Sequence, residues 1–103
     1  MTTSPDSTQL TIVATMKAKS GKREDLRAAL ETLLEPTRAE DGNVQYDLHQ
    51  GIDDPDVFVF YEIWSSAEQL GQHMQSPHLQ KALGGLPEMV DGELSLVQLR
   101  RIG

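Results

Sequence analysis

Cysteine is absent from this chain of 103 residues. That excludes disulfides, thiolate metal centres and thiol nucleophiles, so any chemistry has to come from oxygen and imidazole groups or from a substrate. Basic residues are scarce as well. There are 9 Lys and Arg against 16 Asp and Glu, a formal net charge of -7, and no basic run to track a phosphate backbone. No nucleic-acid partner is expected. Long apolar stretches are missing, so nothing reaches bilayer length, and residues 1–9 contain neither the basic nor the apolar region of a secretion signal. These absences predict a cytoplasmic protein with no membrane partner. A glycine-rich phosphate loop after a strand is also lacking, which disfavours dinucleotide binding.

What is present suffices for one domain with one modest core. The 38% of hydrophobic residues recur with a clear period, unlike those of a disordered segment. Residues 1–9 are polar and read as a loose tail, leaving residues 10–103 as the folded unit. In the first strand, residues 10–18, Leu10, Ile12, Ala14 and Met16 alternate with Thr11, Val13 and Thr15. Ser20 and Gly21 supply a cap and turn for a first helix, with Glu24 and Asp25 at its positive end and Leu26, Ala29, Leu30, Leu33 and Thr37 at helical spacing. Pro36 is expected to kink this helix without dividing it, and Gly42 to stop it.

Val44, Tyr46 and Leu48 alternate with Gln45, Asp47 and His49 in a second strand, and residues 51–55, Gly-Ile-Asp-Asp-Pro, form a hairpin-sized turn. The third strand, residues 57–64, is largely apolar on both faces: Val57, Val59, Tyr61 and Ile63 on one, Phe58, Phe60, Glu62 and Trp64 on the other. Ser65 or Ser66 caps a second helix with Leu70, His73 and Met74 on a shared face. Ser76-Pro77 interrupts it, residues 79–83 resume it, and Gly84-Gly85 with Pro87 are expected to end it. A fourth strand falls within residues 92–102.

The order β-α-β-β-α-β predicts an α+β, ferredoxin-like fold: a four-stranded antiparallel sheet with its helices on one face. The other face would leave Val57, Val59, Tyr61 and Ile63 in water, an unusually large apolar patch. Two-fold association of identical sheet faces covers such a patch, so a homodimer through the sheet face is expected.

Five stretches resemble a known family: Thr37-Arg38-x-Glu40-x-Gly42, Tyr46-x-Leu48-His49-Gln50, Asp54-Pro55, Phe58-Val59-Phe60-Tyr61-Glu62-x-Trp64 and His73-x-x-Ser76-Pro77-His78. Together they are similar to the antibiotic biosynthesis monooxygenase domain family, over about residues 10–101. The resemblance implies a dimeric α+β barrel. It also implies a range of activities: some members oxidise anthrone- or quinol-type rings with dioxygen and neither metal nor flavin, while relatives degrade haem or act as isomerases. Fold and family do not choose among these. The strand-one asparagine of haem-degrading relatives has no counterpart here, where Ala14 and its neighbours stand.

Candidate site residues follow. Trp64 matches a tryptophan that packs on planar ligands in relatives; the plain alternative is a core aromatic. Glu62 shares a face with Phe58, Phe60 and Trp64, so burial would raise its pKa and make it a candidate base, or else it is a structural acid paired with Arg38 or Arg100. His49 and His73 are each able to accept a phenolic proton near neutral pH, or are ordinary half-buried histidines. Tyr46, Phe60, Leu70 and Met74 would wall a substrate pocket between sheet and helices. His78 reads as a helix-start residue. His73 and His78, five apart with a proline between, do not share a helical face as a zinc pair would, so no metal is expected. The function that follows is a cofactor-independent monooxygenase taking dioxygen as co-substrate and a small phenolic, quinol or anthrone-type substrate. The alternatives are an isomerase of a small carbonyl compound and a non-enzymatic binding dimer.

Overall fold

A computed structural model describes residues 8–103. The expected tail therefore lies outside the described residues over 1–7, whereas the Thr8 hydroxyl donates to the Ser65 carbonyl at 2.9 Å. The order is β1 (Leu10–Lys17), α1 (Arg23–Glu31), α2 (Leu34–Arg38), β2 (Asn43–Gln50), β3 (Val57–Trp64), α3 (Ala67–Met74), α4 (Pro77–Met89) and β4 (Ser95–Leu99). The strands form one sheet in the order β2-β3-β1-β4, every pair antiparallel. This is the predicted ferredoxin-like arrangement. Among the described residues no helix is long and apolar enough to cross a membrane.

Because β3 pairs with both β1 and β2, its period-two alternation decides which residues meet the helices. Phe58, Phe60, Glu62 and Trp64 point inward and are all buried. Ala14, Met16 and Tyr46 from neighbouring strands join Phe58 and Phe60, and Leu26, Leu30, Leu79 and Leu86 from the helices close over them with Leu33 from the α1–α2 break. Fully burying one such leucine contributes on the order of 2 kcal/mol, so this layer is the main source of stability.

Four details depart from the sequence reading. The first helix is two helices, divided at Thr32 and Leu33. Pro36 then falls in the first turn of α2, where its missing N–H needs no partner; in one continuous helix its ring would meet the Thr32 carbonyl. Ser20 does not cap α1, whose N-cap is Lys22 without a side-chain bond. Pro87 does not end α4, which continues to Met89 because Leu79, Leu86 and the following Val90 all bury against the sheet side. Val44 faces solvent at 54% exposure, since the β2–β3 register shifts between Asn43 and Gln45 and the bulge leaves it unpaired.

The turn into β2 depends on Gly42, which has φ +84° and lies against the Gln69 side chain of α3. Gly21 has a similar φ of +82° but open space around it. Gly21→Ala is therefore expected to cost only the left-handed strain, about 1–2 kcal/mol. Gly42→Ala adds a collision with Gln69 and should cost roughly 1–3 kcal/mol more. Urea midpoints of the two variants measure this, and equal losses would show that α3 does not press on the turn.

Candidate functional site

Beyond Phe60 the inner face of the sheet turns polar while staying buried. A cavity of about 50 Å³ lies there between the sheet and the helices, bordered by Tyr46, Phe60, Glu62, Leu70, His73 and Met74, with Leu94 and Leu96 from the β4 side. Met74 and Leu96, 38% and 43% exposed, stand at its mouth. Fifty cubic ångströms holds water; a ring of benzene size occupies a cavity of roughly 150 Å³. A ring of that size would fit only with the flexible Met74 and Leu96 side chains displaced.

Glu62 is 5% exposed, and its Oε1 accepts a hydrogen bond from Trp64 Nε1–H at 2.9 Å. Burial raises the Glu62 carboxyl above its ordinary value against the opposing pull of that bond, and the nearby Glu40 charge raises it further. Tyr46 sits opposite Glu62 in the β2–β3 register and stacks on Phe60 at 4.7 Å. Burial, with the Glu62 charge behind it, pushes the Tyr46 phenol far above its ordinary range, so it remains an O–H donor.

The second carboxylate is Glu40, in the loop between α2 and β2. Its Oε2 accepts from two imidazoles at once, His73 Nδ1 at 2.8 Å and His78 Nε2 at 2.7 Å. The corner at Ser76-Pro77 makes this possible. Ser76 Oγ donates to the His73 carbonyl at the end of α3 and accepts from Leu79 N–H at the start of α4. The chain turns between the two histidines and their rings lie 6.1 Å apart. His73 is 2% exposed and packs against Trp64 at 4.6 Å and Tyr46 at 5.7 Å. Burial holds its imidazole below the ordinary histidine range, against the upward pull of Glu40. A neutral His73 facing a carboxylate has to carry its proton on Nδ1, which leaves the lone pair on Nε2.

The chain matches the family model described as antibiotic biosynthesis monooxygenase over residues 9–84. It belongs to that family. The chain is similar to YcnE of Bacillus subtilis, whose name assigns it provisionally as a monooxygenase: the two are 29% identical over 89 residues, covering 86% of this chain and 94% of YcnE. The protein sll1783 of Synechocystis is 26% identical over 81 residues; the match covers 79% of this chain but only 55% of that protein. The crystal structure of PA3566 from Pseudomonas aeruginosa superposes with a TM-score of 0.90 at 35% identity, covering 95% of this chain and 98% of that one. Membership in the antibiotic biosynthesis monooxygenase family carries a monooxygenase-like function in general terms and leaves the substrate open.

Of the residues singled out from the sequence, Tyr46, Phe60, Glu62, Leu70, His73 and Met74 converge on the cavity. Two do not. His49 pairs with Val59 on the opposite face of the sheet and is exposed, because it is odd in phase with Tyr46 and Leu48. Trp64 is fully buried behind Glu62 and His73, with Ile12 and Leu70, and does not border the cavity. Neither Arg38 nor Arg100 meets Glu62: Arg38 bonds the Tyr46 carbonyl and Asp47, and the indole takes the role expected of a cation. His73 and His78 share no helical face, since they stand on α3 and α4, and the corner between the two helices brings both onto Glu40. Glu40 itself went unassigned, although it stands within the Thr37-Arg38-x-Glu40-x-Gly42 stretch.

Glu62→Gln tests the electrostatics. Glutamine keeps an acceptor for Trp64 and carries no charge to desolvate. The Glu62 carboxyl is raised in the folded state, so between its unfolded value and that raised one the native protein holds more protons than the unfolded chain, and stability falls as pH rises. Glu62→Gln should therefore melt above the parent at neutral pH, with the gain vanishing below about pH 4.5, the ordinary value. A lower melting temperature at pH 7 would mean that the charge is compensated.

Proposed function

We propose that the protein is a cofactor-independent monooxygenase that oxidises a small phenolic, quinol or anthrone-type substrate with dioxygen. The observation that carries this reading is the neutral His73 imidazole, held by Glu40 through Nδ1 at the border of an apolar cavity. In that role His73 Nε2 takes the phenolic proton, and Glu40 positions the ring and steadies the imidazolium. The phenolate gives one electron to dioxygen, and the phenoxyl and superoxide radicals join in a new carbon–oxygen bond. The peroxide takes the proton from His73. Its O–O bond then breaks as the proton on the same carbon is lost, releasing water and leaving a carbonyl. For a simple phenol the balance is phenol plus O2 giving quinone plus water. Tyr46 O–H and the Glu62 carboxyl orient the oxygen substituents, and the Leu and Met walls exclude bulk water.

The open face of the sheet supports a homodimer. It carries Val13, Val59, Tyr61, Ile63, Val97 and Leu99, of which Val97, Leu99 and Tyr61 are 46%, 45% and 37% exposed. A second copy on the same face buries all of them. Val59→Asp, which adds a charge at the centre of that face, should sediment as a folded monomer while the parent sediments as a dimer. A monomeric parent would remove the dimer.

Oxygen consumption by purified, metal-stripped protein with hydroquinones and anthrones, corrected for autoxidation, tests the activity. Saturable uptake is expected, falling about 10²–10⁴-fold in His73→Ala. Glu40→Gln should fall less, and His49→Ala should match the parent. No uptake above background would sink the oxygenase and leave an isomerase or a binding dimer.

A further inference from the structure

The Glu40 cluster is more than an orienting device for one imidazole, because that purpose would be served by one histidine. His78 adds a second ring nitrogen to the same oxygen, and the three ligand-capable atoms lie within 4.8 Å of one another. We infer that Glu40, His73 and His78 form a binding site for one divalent transition-metal ion of the zinc class, and that filling it silences the base of the cavity. The first half stands on geometry alone; the second rests on His73 being that base.

Two imidazoles and a carboxylate are the donor set that zinc, nickel and copper favour, whereas calcium and magnesium require mostly oxygen. The N···O separations of 2.7 and 2.8 Å need to open to roughly 3.3 Å, the edge of a tetrahedron with bonds of about 2.0–2.1 Å, a shift of about half an ångström. The two ring nitrogens, which lie within 4.8 Å of each other, have to approach to the same spacing, so both rings as well as the Glu40 side chain shift to complete the site. An ion has a route in, since the side chains of Glu40 and His78 are 17% and 23% exposed while that of His73 is 3% exposed. Among the described residues the ion-pair partners of Glu40 are these two imidazoles, so a cation would neutralise a carboxylate that no Lys or Arg meets. Three protein ligands leave a fourth position for water.

The functional consequence follows from imidazole chemistry. In the metal-free state His73 bears hydrogen on Nδ1 and a lone pair on Nε2. A metal on Nδ1 takes that lone pair instead and leaves hydrogen on Nε2, and an N–H cannot accept a phenolic proton. Metal binding and base catalysis at His73 are mutually exclusive.

The test is calorimetric titration of the chelator-stripped full chain with Zn2+, alongside long-range proton–nitrogen spectra of its histidines. One Zn2+ per chain with micromolar or tighter affinity is expected, with the His73 and His78 signals moving, the His49 signal still, and His73 changing from the Nδ1–H to the Nε2–H form. Mg2+ and Ca2+ should move none of them. His78→Ala and Glu40→Gln should each weaken Zn2+ binding at least about ten-fold. Should either variant fail to fold, the parent spectra decide the matter without it. No heat and unmoved His73 and His78 signals, or binding that survives both substitutions, would overturn the site. Zn2+ should also stop oxygen uptake by the parent. Uptake that continues with His73 and His78 visibly metal-bound would leave the site standing and remove His73 as the base.

Discussion

A carboxylate taken out of water has to be met by donors, and in this protein two of them are placed at the same end of the core with no lysine or arginine paired to them among the described residues. Glu62 arrives there because β3 alternates, and Glu40 because the turn at Gly42 folds its loop back over α3. The donors that meet them are ring N–H groups: the Trp64 indole for Glu62, the His73 and His78 imidazoles for Glu40. The aromatic cluster follows from that requirement. His73 contacts both Trp64 and Tyr46, so the two carboxylates share one wall of rings.

Ring donors give a different site from the one that cations would give. An Arg or Lys beside Glu62 would hold its carboxylate ionised. Burial leaves the Glu62 carboxyl raised despite its indole donor, and burial holds the His73 imidazole low despite Glu40. The apolar remainder of the cavity amplifies this, since each charge there interacts through a less polar medium than water. Buried polar groups with shifted titration of this kind cluster at functional sites.

How much of this was legible in the sequence depended on the range of the signal. Strand alternation is local, so the inward set of β3 and the outward set of Val59, Tyr61 and Ile63 were both readable, and with them the places of Phe60 and Glu62. The same alternation puts His49 on the outer face; its imidazole drew it into the site against its own phase. Helix breaks were less readable. Pro36 marks a break, but the chain sets it one turn earlier so that the proline lands in a first turn. The pairing of Glu40 with His73 spans 33 residues and no period announces it. The available clue was two histidines flanking Ser76-Pro77, where a serine cap followed by proline starts a new helix and turns the chain.

The sheet is a single layer, so what happens on its two faces is separated by one residue. On β3, Tyr61 faces outward between Phe60 and Glu62, and Ile63 faces outward between Glu62 and Trp64. A second copy pressed on Val59, Tyr61 and Ile63 would therefore brace the very backbone that aims Glu62 and Trp64. The effect would be greatest at β4, whose five residues are all exposed and which, among the described residues, pairs only with β1. That strand brings Leu96 to the cavity mouth while Val97 faces the other way. Covering Val97 and Leu99 would limit how far β4 can swing and hence how wide the mouth opens. A dimer through the outer face would thus bear on access to the inner cavity through one thin strand.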